Sequence, residues 1–100
     1  NNEEIKELIL RRRRQILINS CIYYVYGKAV ITDRQFDKWA YELADLQKEY
    51  TELSMECGEF NEEFKDFDGT TGYNLPLWGN WVERKARQVL DYAEKKGLLL

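Results

Sequence analysis

Apolar side chains recur at helical spacing through most of the chain. A diluted seam runs from about Glu3 to Tyr26 and contains Ile5, Leu8, Ile9, Arg12, Ile16, Asn19 or Ser20, and Tyr23. A cleaner stripe with steps of one, three or four follows at Phe36, Trp39, Ala40, Leu43, Leu46 and Tyr50. A third stripe ends at Gly97 and contains Trp81 or Val82, Ala86, Val89, Leu90 and Ala93. These patterns are typical of amphipathic helices, so we predict an all-α fold.

Capping residues place the ends of these helices. Gly27 follows the first apolar run and can adopt the left-handed conformation that ends a helix. Thr32 and Gln35 form a Thr-x-x-Gln capping box that opens the second helix. Asn80 and Glu83 form a second candidate box, which predicts that Asn80 caps the last helix. The first two helices therefore form a helical hairpin.

The segment between the hairpin and the last helix is acidic and aromatic. Phe60, Phe64 and Phe67, at steps of four and three, predict a short helix from Gly58 to about Phe67. A loop rich in turn-forming residues follows over 68–76. We predict one domain over 1–100, with a hairpin at 1–53, an acidic segment and loop at 54–76, and a C-terminal helix and tail at 77–100.

Composition narrows the classes of function. The 44% hydrophobic and 14% aromatic content indicates a folded chain. A net charge of -3 and a pI near 5.0 argue against a general nucleic-acid coat protein, and we expect no direct sequence-specific nucleic-acid binding. Cys21 and Cys57 lack metal-type spacing. No apolar run approaches the ~20 residues of a membrane span and the N-terminal residues do not resemble a signal peptide, so we expect a cytoplasmic protein without membrane contact.

The mouth of the predicted hairpin is the strongest candidate site. Tyr23 and Tyr24 lie at the end of one arm, while Asp33, Phe36 and Asp37 lie at the start of the other. Aromatic faces beside carboxylates can hold a cationic aromatic ring. The same residues also fit a second interpretation, in which the aromatics pack between helices and Asp33 complements the helix dipole. Both interpretations remain open at this point.

The same stretch resembles a known family of enzymes. The matching elements are Tyr23-Tyr24, Ile31-Thr32-Asp33, Phe36-Asp37, Glu42-Leu43 and Glu52-Leu53. In this order and spacing they resemble the N-terminal nicotinamide mononucleotide (NMN) recognition subdomain, subdomain Ia, of bacterial NAD-dependent DNA ligases. The resemblance covers about the first half of the chain and departs from the family at Asn19, where the ligases usually have His, and at Phe36, where they have Tyr.

The resemblance implies a ligand and a role for each site residue. The aromatics at 23, 24 and 36 would stack on the nicotinamide ring, and the carboxylates at 33 and 37 would meet the ribose and the positive charge. NMN or NAD is thus the possible ligand, and no cofactor is required for the fold. The resemblance further suggests a stand-alone ligase-like protein of a phage or mobile element.

Two charged runs offer a different kind of site. Arg11 to Arg14 point in different directions around most of a helical turn, so they cannot all face one ligand. They are either solvated, with Glu7 pairing Arg11, or in contact with phosphate or an acidic partner. The acidic run from Glu49 to Asp68 can steer association with a basic surface. An exposed Trp78 or Trp81 would anchor such a partner. The candidate partner-binding residues are Arg11, Arg14, Glu59, Glu62, Glu63, Trp78 and Trp81.

These observations leave two hypotheses of different class. With no His, no nucleophile–base pair and no metal-ligand cluster, we expect no catalysis by this chain alone. The first hypothesis is a ligase-Ia-like module that binds NMN, NAD or a related nucleotide. The second is a small acidic interaction module, such as a phage-type inhibitor or adaptor, that kept the scaffold and lost the pocket. Its partner would be a host protein or a ligase-related protein.

Overall fold

A computed structural model describes residues 1–100 and confirms the all-α prediction. The helices are α1 (Asn2–Tyr24), α2 (Asp33–Glu49), α3 (Thr51–Met55), α4 (Asn61–Phe64) and α5 (Asn80–Lys96). Both α2 and α5 pack against α1, which is therefore the central element. The core is built from buried apolar side chains of all three long helices, together with Phe64 and two loop leucines, Leu75 and Leu77.

Local sequence explains where α2 begins and where α5 ends. Thr32 Oγ1 accepts a hydrogen bond from the backbone N–H of Gln35 at 3.1 Å, which confirms Thr32 as the cap. Gly97 has φ 67° and ends α5 in the left-handed conformation, as predicted. The predicted cap at Asn80 is wrong, because Gly79 occupies the cap position and Asn80 is already helical. The backbone N–H of Glu83 bonds the Gly79 carbonyl at 3.0 Å.

The predicted helix from Gly58 to Phe67 is also wrong in extent. Only 61–64 is helical, and a separate short helix, α3, occupies 51–55. Phe60 explains the late start of α4, because its φ of 62° lies in the left-handed region and no helix can continue through it. The phenylalanine spacing therefore does not reflect one continuous helix. Phe60 lies in a bend, and Phe64 belongs to a single helical turn that packs on the core.

The apolar stripes of α2 and α5 are confirmed, whereas the seam of α1 is shifted. Ala40 and Leu43 of α2 are buried, as are Val82, Ala86, Leu90 and Ala93 of α5. On α1 the buried charged residue is Arg13, not the predicted Arg12, and Tyr23 is exposed. The aromatic of this region that packs on the core is Tyr26. This rotation of the buried face turns Tyr23 and Tyr24 outward at the end of α1.

The last residues return to the turn between α1 and α2. The backbone N–H of Leu100 donates to the Ala29 carbonyl at 2.9 Å, and Lys28 Nζ lies 3.0 Å from a carboxylate oxygen of Glu94. The side chains of the three terminal leucines remain exposed. The backbone of the tail thus packs back on the hairpin turn. No helix of the protein combines the length and apolar character needed to cross a bilayer.

Candidate functional site

The mouth of the hairpin forms a cleft of about 340 Å³. This volume lies near the lower end of the roughly 300–1,000 Å³ that is typical of small-molecule sites. The end of α1, the turn at 29–32 and the start of α2 form three of its sides, and the loop at 70–71 forms the fourth. All five residues proposed for ligand binding line this one cleft: Tyr23, Tyr24, Asp33, Phe36 and Asp37.

Aromatic rings form one side of the cleft. The rings of Tyr23 and Tyr24 meet edge to face, with centroids 5.0 Å apart and planes at 85°. The ring of Tyr24 meets that of Tyr73 in the same manner at 5.2 Å. Such pairs are favourable because the positive edge of one ring faces the negative face of the other. Tyr23 is 57% exposed, so part of its surface remains available to a ligand.

Two carboxylates line the cleft from the start of α2. Asp33 is the first residue of α2 and Asp37 follows four residues later, so both lie on one face of the helix. Both side chains are exposed, and neither takes part in the ion pairs of the structure, which involve Glu4, Glu3, Glu7, Glu42, Glu59, Glu94 and Glu62. Their negative charge is therefore not paired with a cationic side chain of the protein.

The sequence did not indicate the fourth wall of the cleft. Thr70 and Thr71 come from the loop after α4, and the hydroxyls of Tyr24 and Thr71 lie 3.0 Å apart. The same Thr71 oxygen accepts the backbone N–H of Tyr73 at 3.1 Å. This wall depends on a contact between residues 47 positions apart, for which the local sequence carries no signal.

Two polar side chains of α1 also line the cleft. Asn19 donates from Nδ2 to the Gln15 carbonyl at 2.8 Å, and its Oδ1 is buried without a partner. Ser20 is 1% exposed, and its Oγ is likewise buried without a partner. The sequence pattern predicted Asn19 or Ser20 as a seam position and did not indicate that both line the cleft.

The arginines of the run differ in their surroundings and do not act as one cluster. Arg11 bonds Glu7 on its own helix at 2.6 Å, as the solvated interpretation predicts. Arg12 pairs with Glu42 at 3.0 Å and lies over the ring of Trp39. Arg13 is buried, and desolvation lowers its pKa from the ordinary value. No two of these side chains converge on one anion site, and all of them lie away from the cleft.

Four of the candidate partner-binding residues lie together in a second, open groove of about 620 Å³. Arg14, Glu59, Glu63 and Trp81 line it, and Arg14 Nη2 lies 2.6 Å from a carboxylate oxygen of Glu59. The Trp81 ring is half-buried and packs on Phe60, with centroids 5.6 Å apart. Three further candidates lie outside this groove: Arg11, Glu62 and Trp78.

The two cysteine thiols are free, and one is buried and the other half-buried. Burial raises the pKa of both thiols, Cys21 and Cys57, which disfavours the nucleophilic thiolate. No group of three or more His, Cys, Asp or Glu side chains is arranged to hold a metal ion. The cleft thus combines aromatic faces, carboxylates and polar atoms, without a nucleophile paired with a base.

Comparison with known proteins links the chain to DNA ligases. It is 35% identical to a DNA ligase of Fervidobacterium nodosum over an alignment of 106 positions, which covers 90% of the chain and 15% of the ligase. It is 37% identical over 51 residues to a DNA ligase of Pseudothermotoga lettingae, which covers 51% of the chain and 8% of that protein. The chain therefore spans less than a sixth of these curated relatives. No family model matches it, and no solved structure matches it.

Proposed function

We propose that this ligase-like chain is a recognition module that binds NMN, or the NMN half of NAD, in the cleft at the mouth of the hairpin. The observation that carries the proposal is the convergence of Tyr23, Tyr24 and Phe36 with Asp33 and Asp37 around one cavity. The similarity to DNA ligases supports it, because the resemblance noted in the sequence concerns the NMN-recognition subdomain of the NAD-dependent ligases.

The chemistry of the cleft suits a pyridinium nucleotide. A nicotinamide ring that carries a positive charge gains from stacking on the Tyr23 face and from the nearby carboxylates. Asp37 can also accept hydrogen bonds from the hydroxyls of a ribose, because an ionised carboxylate offers only acceptors. A phosphate gains nothing from these two carboxylates, so we place the phosphate of the ligand toward the open side of the cleft.

We further propose that binding in this module is not accompanied by catalysis within it. The chain contains no histidine, and the cleft contains no nucleophile beside a base. The module would therefore position the nicotinamide half of a nucleotide for chemistry carried out by other protein groups.

Titration calorimetry of the full chain with NMN, NAD and AMP tests the proposal. We expect saturable binding of NMN and NAD in the millimolar range or tighter, and weaker binding of AMP, which lacks the pyridinium ring. Ligand-observed NMR on the same samples should show saturation transfer to the pyridinium protons. Absence of saturable NMN or NAD binding at millimolar ligand would contradict the proposal.

Trp78 supports a second candidate function, an acidic protein-interaction module. Its side chain is 72% exposed, and the groove around Trp81 lies close along the chain to this exposed indole. Large exposed aromatics are frequent anchors of protein interfaces. The partner we propose is a host protein or a ligase-related protein with a basic surface, complementary to Glu59, Glu62 and Glu63.

Affinity capture from cell extract tests this second candidate. We expect Trp78→Ala to lose a specific partner that the wild type retains, because an anchor side chain slows dissociation. Met55→Ala is the matched control, since Met55 is 69% exposed but lies on α3. Recovery of the same proteins with the wild type and with both variants would count against an interface at Trp78.

A further inference from the structure

Asn19 and Ser20 hold the only buried side-chain nitrogen or oxygen atoms without a hydrogen-bond partner, and both residues line the cleft. Buried polar atoms in folded proteins are almost always paired, because an unpaired one loses the hydrogen bonds that water gave it. These two unpaired atoms belong to consecutive residues that line one cleft, so they are the atoms to which a ligand in that cleft would add hydrogen bonds.

The direction of each missing hydrogen bond can be assigned. Asn19 Nδ2 donates to the Gln15 carbonyl, which can only accept, so the orientation of the amide is fixed and Oδ1 is the free atom. An amide oxygen is an acceptor and needs an N–H or O–H group. Ser20 Oγ can donate or accept. The two residues thus offer one obligate acceptor and one hydroxyl that can donate.

Gly72 encloses the hydroxyl of Ser20 on the side of the loop. A Cβ built on Gly72 would lie 1.9 Å from Ser20 Oγ, so the loop backbone lies directly against this hydroxyl. The hydroxyl is therefore closed off on the loop side, and the cleft is the cavity that Ser20 and Asn19 line.

We propose that Asn19 and Ser20 recognise the carboxamide of a bound nicotinamide and select it over the carboxylate of a nicotinate; this inference rests on the proposed function. A carboxamide presents an N–H donor to Asn19 Oδ1 and a carbonyl acceptor to Ser20 Oγ. A carboxylate presents acceptors alone, so it opposes Asn19 Oδ1 and is repelled by Asp33 and Asp37. Asn19 and Ser20 therefore determine specificity through hydrogen bonds to the group attached to the ring.

The experiment compares NMN with nicotinate mononucleotide by titration calorimetry on the full chain. In the wild type we expect NMN to bind at least about tenfold more tightly, because sites built to satisfy a polar group reject analogues that leave it unpaired. In Asn19→Leu and in Ser20→Ala we expect this ratio to fall severalfold, mainly through weaker NMN binding. Ile18→Val, on the same helix but at the other groove, should leave the ratio unchanged.

Thermal unfolding of the same variants separates recognition from a structural role. Ser20→Ala removes an unpaired buried oxygen, so it should fold with unchanged or higher stability while it loses selectivity. Equal binding of the two nucleotides by the wild type, or a ratio that persists in both variants, would overturn the inference and leave the proposed function standing. Binding of neither nucleotide at millimolar concentration would overturn both.

Discussion

Arg13 and Ser54, 41 residues apart, are joined by two buried hydrogen bonds from one guanidinium nitrogen. Nη2 donates to the Ser54 carbonyl at 3.0 Å and to its hydroxyl at 2.7 Å. The other three N–H groups donate to Gln47 Oε1, the Glu59 carbonyl and Asn61 Oδ1. All five guanidinium donors are therefore satisfied. Through these hydrogen bonds Arg13 links α2, α3 and the start of α4 to the central helix, α1.

Arg13→Ala should reduce the free energy of unfolding by about 3–5 kcal/mol, because it leaves several buried acceptors without their donor. Arg11→Ala is the matched control in the same run. Arg11 is exposed and bonds only Glu7, so its loss should cost less than about 1 kcal/mol. Urea unfolding followed by circular dichroism measures both values. Similar costs for the two variants would mean that the Arg13 network contributes little.

Gly72→Ala should destabilise the protein by about 1–3 kcal/mol, because the new methyl group would overlap Ser20 Oγ and force the loop away from α1. The displaced loop should also weaken the contact between Tyr24 and Thr71. Gly79→Ala is the control, since its nearest contact would be an ordinary one of 3.8 Å to Val82. Its effect should stay within about 1 kcal/mol. Unfolding curves of equal midpoint for both variants would contradict the proposed packing.

Tyr23→Ala should weaken NMN binding by about 1–3 kcal/mol without loss of fold, as expected when a stacking face is removed. Tyr92→Ala is the control, because Tyr92 is exposed to a similar extent, 60% against 57%, but lies on α5.

Asp37→Asn should weaken NMN binding by about 1 kcal/mol through the lost charge. Asp45→Asn, two turns further along α2, should not. Titration calorimetry measures the affinity of all four variants for NMN. If Tyr23→Ala and Asp37→Asn bound NMN as tightly as their controls, the ligand would lie elsewhere.

Asp68 gives the loop beside the cleft a dependence on pH. The hydroxyl and the backbone N–H of Thr70 donate to its carboxylate at 2.7 and 3.0 Å, and these bonds lower the pKa of Asp68 from its ordinary value of 3.8. Because the folded-state pKa is depressed, the stabilisation is complete above the ordinary value. It is lost as the pH falls through the lower folded value.

NMR titration of the Asp68 side chain measures this effect directly. Thr70→Val removes the hydroxyl, so the pKa of Asp68 should rise toward its ordinary value in that variant. Thr51→Val is the control, because the Thr51 hydroxyl bonds backbone carbonyls of α2. An unchanged Asp68 titration in Thr70→Val would show that the loop does not hold the carboxylate in this way.

The sequence predicted those features whose causes are local. The cap at Thr32, the end of α5 at Gly97 and the stripes of α2 and α5 depend on neighbours within a few residues. The hairpin mouth could be anticipated for the same reason, since its aromatics and carboxylates flank one short turn. Whether these residues bind a nucleotide stays a prediction.

The features that escaped prediction depend on distant parts of the chain. The sequence does not distinguish among the four consecutive arginines. Arg13 is the buried one because the fold brings its hydrogen-bond partners Ser54 and Asn61 next to it. The left-handed conformation of Phe60 is unusual for a residue other than glycine, so phenylalanine spacing alone could not reveal it. Likewise, Thr70 and Thr71 reach the cleft only through tertiary packing.

The separation of 47 positions between Tyr24 and Thr71 has a consequence for the order of folding. Three sides of the cleft come from residues 19–37, whose mutual contacts close only short loops. The fourth side forms only when a much longer segment of the chain is ordered. Contacts between distant residues generally form later, because their entropic cost is met only after local structure exists. We therefore expect folding to complete the cleft last, so that ligand binding reports the finished fold and not the hairpin alone.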